Sequence, residues 1–222
     1  MPDKQASLSR VAVGLQLVLI GIAVMALLVI AILGLPRVNP ASAAFLLSHL
    51  PKIVLAVVVI SMAGKILCLW VPESTEAKTL IGITIAFEIP GFLINILLLT
   101  SPLTVLKLPV WLIVNWPQLT AFASVFFILF LRSLAVSLKR DDLAKKAVIL
   151  LITSFVIQGF SYAMLNGMIP VNSIEMLLII GVVLIAVAVG LLMVYIRLLS
   201  YLRKEILDQG NSAPKNSELK QG

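Results

Sequence analysis

Two charges of opposite sign stand inside long apolar runs: Lys65 in SMAGKILCLW and Glu88 in GITIAFEIPGFLIN. A third, Arg132, interrupts the apolar stretch that ends in FLRSL. An ammonium and a carboxylate at membrane depth can pair, pass a proton or hold a small cation. An ionisable group at the middle of a transmembrane helix costs about 2.5–3.5 kcal/mol on insertion scales, so each needs a partner. Lys65 lies six residues before Val71, about 9 Å along a helix. Glu88 lies ten residues beyond Lys78, about 15 Å along the next one. Helical side chains lean toward their own N-terminus, so on antiparallel neighbours these two converge. The expected arrangement is an interhelical Lys65–Glu88 ion pair facing the bundle interior.

Arg132 sits at similar depth on a helix that runs in the same sense as the one carrying Lys65. It could take the place of Lys65 or complete a triad of two cations and one anion. Such a group has a structural reading, in which the pair fixes packing and register, and a transport reading, in which it couples to an ion or proton. Two further readings stay open: a lone, protonated Glu88, and basic side chains that snorkel to the interface.

Polar residues cluster in the outer half of the same bundle. Asn95 follows Glu88 by seven residues, on nearly the same helical face. Asn115 and Gln118 flank Pro117, while Gln158, Ser161, Tyr162 and Asn166 recur along the fifth apolar stretch. Together they could edge a crevice leading toward Glu88. The plainer reading is interhelical hydrogen bonding, worth about 0.6 kcal/mol for each pair. Pro90 removes a donor to the carbonyl of Ala86 and bends its helix beside the carboxylate. Gly82, Ala86 and Gly91 form a small-residue face suited to a close neighbour.

The elements that position these residues are membrane helices. Hydrophobic residues make up 61% of the 222 and charged ones 12%, against about half and about a quarter in soluble domains. Mean hydropathy is +1.13. Six apolar spans fall at Val11–Leu35, Ile53–Val71, Thr79–Thr100, Val110–Leu138, Lys146–Met168 and Ile174–Ser200. Open sheets leave unpaired backbone groups in lipid, and strict alternation of a barrel strand is missing. The expected fold is all-α, a polytopic bundle of about six helices. The first apolar run is too long for a secretory signal, and no small-residue site closes it directly.

The fourth span is long and divided by Pro117: it is either one kinked or tilted helix or, the preferred division, a short outer piece, VWLIVNW, followed by a crossing at Leu119–Leu138. The last span has no central polar residue and carries Gly181, Ala186 and Gly190, which suits packing or a lipid-facing position. His49 falls between Pro40 and Pro51, in an outer loop holding a short interfacial helix, AAFLLSHL. Residues 1–202 form the bundle, and 203–222 read as a flexible polar tail.

Cations set the orientation. With the N-terminus inside, Lys4, Arg10, Lys78, Lys139, Arg140, Lys145, Lys146, Arg203, Lys204, Lys215 and Lys220 face inward. Only Arg37, Lys52 and Lys107 face outward, which favours N-in and C-in. The net charge of +7 therefore indicates anionic lipid, with no nucleic acid expected.

One cysteine, Cys68, excludes an intramolecular disulfide, and one histidine supports no metal or haem site. No metalloprotease, nucleophile-elbow, phosphate-loop or dinucleotide motif occurs. No enzyme activity and no cofactor are expected. The stretches GKILCLWVPESTEAKTLI and FLRSLAVSLKRDDLAKKA resemble uncharacterised multi-pass proteins of bacterial inner membranes. That resemblance implies a location but no activity. The expected role is a scaffold, an assembly partner or an accessory subunit of a membrane complex, with a membrane protein or a second copy as partner. The alternative is a small ion- or proton-coupled permease using the Lys65–Glu88 pair.

Overall fold

Proline and asparagine chemistry sets the sharpest helix boundary. Asn39 is extended, its side-chain oxygen accepts from the Ser42 amide at 3.1 Å, and Pro40 opens the next helix. An N-cap of this kind satisfies an orphan donor, and proline fits the first turn because its missing N–H is not needed there. A computed structural model describes residues 2–71, 76–100, 108–165 and 173–212. They form α1 (Pro2–Val38), α2 (Pro40–Cys68), α3 (Glu76–Thr100), α4 (Val110–Ser137), α5 (Asp141–Leu165) and α6 (Ile174–Ser212). All six helices are long and apolar enough to cross a membrane. Among the described residues there is no strand. The protein is an all-α, multi-pass bundle.

Three boundaries differ from the sequence reading. The segment AAFLLSHL is no separate interfacial piece, because α2 runs unbroken through Pro51. His49 is therefore helical, with Nδ1 against the Ser48 hydroxyl at 2.9 Å and the Phe45 carbonyl at 3.0 Å. VWLIVNW joins α4 as its first turns, although the apolar crossing within that helix spans Gln118–Ser137. The last helix continues past Arg203 to Ser212 because it still has an apolar face to bury: Leu202 and Ile206 are in the core.

Each helix packs on the next, α6 returns to α1, and α4 also reaches α6 across the ring so formed. One end of this ring is filled. Val11 and Leu15 of α1, Cys68 of α2, Ile81 of α3, Leu131 and Leu134 of α4, Leu143 of α5 and Leu199 of α6 make one buried cluster. A close approach joins α1 to α2, where Gly14 and Gly64 face each other. A Cβ on Gly14 would lie 2.5 Å from the Gly64 carbonyl oxygen, and one on Gly64 would lie 2.6 Å from that of Gly14. The sequence reading placed close packing at Gly82 and left Gly181 and Gly190 between packing and a lipid-facing position. A Cβ on Gly82, Gly181 or Gly190 would meet nothing within 4 Å.

Polar ties hold the same end, which also carries most of the cations. Ser7 donates to the Trp70 carbonyl, and the Arg10 guanidinium lies 3.9 Å from the Trp70 ring centre. The turn from α4 to α5 is a Schellman cap, with Lys139 N–H donating to Val136 and Arg140 N–H to Ala135. Arg140 then pairs with Asp142 at 3.0 Å and with Glu205 of α6. The hydrogen bonds it donates to the Asp142 and Glu205 carboxylates hold its guanidinium further toward the protonated form than an ordinary arginine.

Lys139 completes that cap at φ 58°, a left-handed position that disfavours a side chain. Lys139→Gly is expected to stabilise the fold by about 1 kcal/mol, read as a rise in the detergent-unfolding midpoint. An unchanged or lower midpoint contradicts the strain assigned to this cap.

Candidate functional site

The other half of the ring is hollow. Between α1, α2, α3 and α6 lies a cleft of about 850 Å³, with Thr120 of α4 reaching its edge. Its walls are apolar: Ile22, Met25 and Val29 from α1, Val57 and Met62 from α2, and Leu192 from α6. Ile30, Ile185 and Met193 line it while staying 65%, 64% and 59% exposed, so the space opens to the surroundings of the bundle. A smaller cavity of about 280 Å³ sits beside it, between α4, α5 and α6.

Lys65 and Glu88 line the large cleft at the end nearest the filled core. The Lys65 ammonium donates to the Glu88 carboxylate as an ion pair across α2 and α3. Their side chains are only 13% and 17% exposed, so the pair lies almost wholly out of solvent. The Phe127 ring of α4 gives Lys65 a second contact, with Nζ 5.1 Å from the ring centre. A ring face attracts a cation through its quadrupole, and more strongly in a desolvated place. Phe127 is itself held by Phe130 at 5.6 Å and by the edge of Tyr195 at 6.4 Å. Across α3 and α4, Phe87 stacks on Phe126 at 5.6 Å. Aromatic packing therefore fixes the floor on which the pair stands.

Arg132 is elsewhere. Its side chain is exposed on the outside of α4, and Glu88 pairs with Lys65 instead. Equal depth did not place it on the same face. The expected polar crevice is also only partly assembled. Asn95 lines the cleft, but its amide nitrogen donates to the Gly91 carbonyl one turn below at 2.8 Å. Gln118 is exposed at the start of the apolar part of α4, and Gln158 is exposed on α5 away from the cleft. Asn166 lies outside the described residues, as do the side chains of Asn115, Ser161 and Tyr162.

Residues absent from the sequence-based site complete the lining. Ser61 and Thr120 add hydroxyls to the same space. Ser61 is a single polar residue in an apolar run, the same signal that exposed Asn95. The α6 wall, with Ala188, Leu192 and Met193, carries no polar signal at all. Only three-dimensional packing shows that it faces a space.

Thr84, fully buried on α3, donates to the Leu80 carbonyl at 2.9 Å. Among the described residues no buried polar side-chain atom lacks a partner, and no three His, Cys, Asp or Glu converge as a metal site would require. Chemically, the site offers a neutral ionic couple at the base of an apolar space. No known protein family, curated protein or solved structure matches the chain.

Proposed function

We propose that this multi-pass membrane protein is a non-enzymatic accessory or assembly subunit of a complex in the bacterial inner membrane, with its cation-rich end toward the cytoplasm. One observation carries this reading: Lys65 and Glu88 are spent on each other. Lys65 pairs with Glu88, and beyond them the ring is closed by Leu131, Leu134, Ile81 and Leu202, all buried. A path for ions or protons needs polar groups or water continuing through the bundle. Here an apolar plug follows the pair. Buried ionic groups that do not conduct act as registry devices, fixing which helix faces which.

The permease reading draws its support from the cleft, where Asn95 and Thr120 stand in the same space as the pair. Two measurements separate the two roles. Affinity purification from native membranes in mild detergent is expected to recover a stoichiometric membrane partner or a homo-oligomer. A lone monomer under every mild condition contradicts the accessory role. Proteoliposomes are expected to show no proton or cation flux above empty vesicles. Flux that vanishes in Glu88→Gln would establish the permease instead.

A further inference from the structure

The cleft has a size, a polarity and a depth, and together these define a guest. The cleft holds about 850 Å³, within the roughly 300–1,000 Å³ of small-ligand sites. Its walls demand an apolar body. Its floor is an ion pair with unused hydrogen-bonding capacity, because an ammonium carries three donors and a carboxylate about four acceptor positions.

Lys65 and Glu88 together are neutral, so a charged head placed beside them would stay uncompensated in a low-dielectric place. Charged lipid heads stay at the membrane surface. Only an uncharged head reaches Glu88, at the middle of α3, without dragging water along.

We propose that the space between α1, α2, α3 and α6 binds one uncharged, long-chain amphiphile. Its hydrogen-bonding head rests on the Lys65–Glu88 pair, and its tail lies against Met25, Val29, Val189 and Met193. The opening past Ile30 and Ile185 admits it sideways from the bilayer. This site is independent of the accessory role: a partner can be recovered with the cleft empty, and the cleft can bind in a lone protomer.

The test uses the full-length protein in lipid nanodiscs with 1-oleoylglycerol carrying a diazirine in its tail, followed by mass-spectrometric mapping of labelled peptides. Labelling of the α1 and α6 cleft residues is expected to saturate and to fall at least tenfold under excess unlabelled 1-oleoylglycerol. Oleate bearing the same diazirine, at neutral pH, should label them at least tenfold less. Ala188→Trp, which fills the cleft from α6, should cut the saturable signal at least fivefold. Val156→Trp, on the exposed face of α5, should leave it unchanged. Competition in the unmutated protein reads the site even if Ala188→Trp fails to fold. Labelling that rises linearly with probe and is equal at Val156 would mean bulk lipid and overturn the proposal. Saturable labelling by oleate in preference to the glycerol ester would overturn its stated chemistry.

Discussion

Glu88→Gln alone is expected to weaken the folded protein by about 3 kcal/mol, the effect of breaking a buried ion pair from one side. The loss comes less from the missing attraction than from the Lys65 ammonium left without its counter-charge. Phe127 compensates only in part, since a ring face at this distance supplies about 0.5–2 kcal/mol. Lys65→Met is expected to fall by a similar amount, leaving the carboxylate alone. The double variant, Lys65→Met with Glu88→Gln, should lose well under the sum of the two single losses, because no uncompensated charge remains. A coupling of about 2 kcal/mol is expected from unfolding titrations in mixed micelles. Additive losses would mean that the two side chains do not meet. Arg132→Met, on the exposed face of α4, should show no coupling to Glu88.

The second large effect belongs to α1 and α2. Gly64→Leu puts a side chain where a Cβ alone would stand 2.6 Å from the Gly14 carbonyl oxygen and 2.9 Å from Val18. Neither helix backbone can give way without opening the filled end of the ring. Overpacking of this kind costs about 3 kcal/mol, at the upper end of its usual range. Gly14→Leu should behave alike, since its Cβ would also press on Cys68 Sγ at 2.9 Å. Gly82→Leu and Gly190→Leu meet open space and should change stability by no more than about 0.5 kcal/mol. Thermal unfolding of the four variants in one detergent decides the matter. Equal losses at all four positions would remove the assigned helix contact.

That contrast shows what one sequence can reveal. Apolar length made the six helices legible, because backbone groups in lipid allow little else. Lys65 and Glu88 were legible as partners because their depths and opposite helix directions leave the two side chains converging. Direction around the helix axis was harder. Arg132 has the right depth and the wrong face, and Gln158 looks outward for the same reason. In a bundle apolar on every side there is no amphipathic stripe to say which face turns inward. Glycine spacing was equally silent: Gly82 looks like a packing position and meets open space, while Gly14 and Gly64 are the ones that touch. The continuation of α6 to Ser212 hid behind its polar composition. Only the contacts of Leu202, Ile206 and Glu205 explain why that segment is ordered as helix.

The hollow half of the ring follows from the same physics. In water an apolar cleft of this size would favour collapse, whereas lipid or a guest can occupy it in a bilayer without that penalty. A filled end and an open end can therefore coexist along one set of helices. The ion pair marks the boundary between them.

An experimental density map of the full chain in a lipid nanodisc, with a rigid antibody fragment as fiducial, tests this picture most directly. Lys65 Nζ is expected within hydrogen-bonding reach of the Glu88 carboxylate, at the base of an open space walled by α1 and α6. Side chains that point into separate surroundings, or an outer half packed as tightly as the end around Gly14 and Gly64, would contradict it.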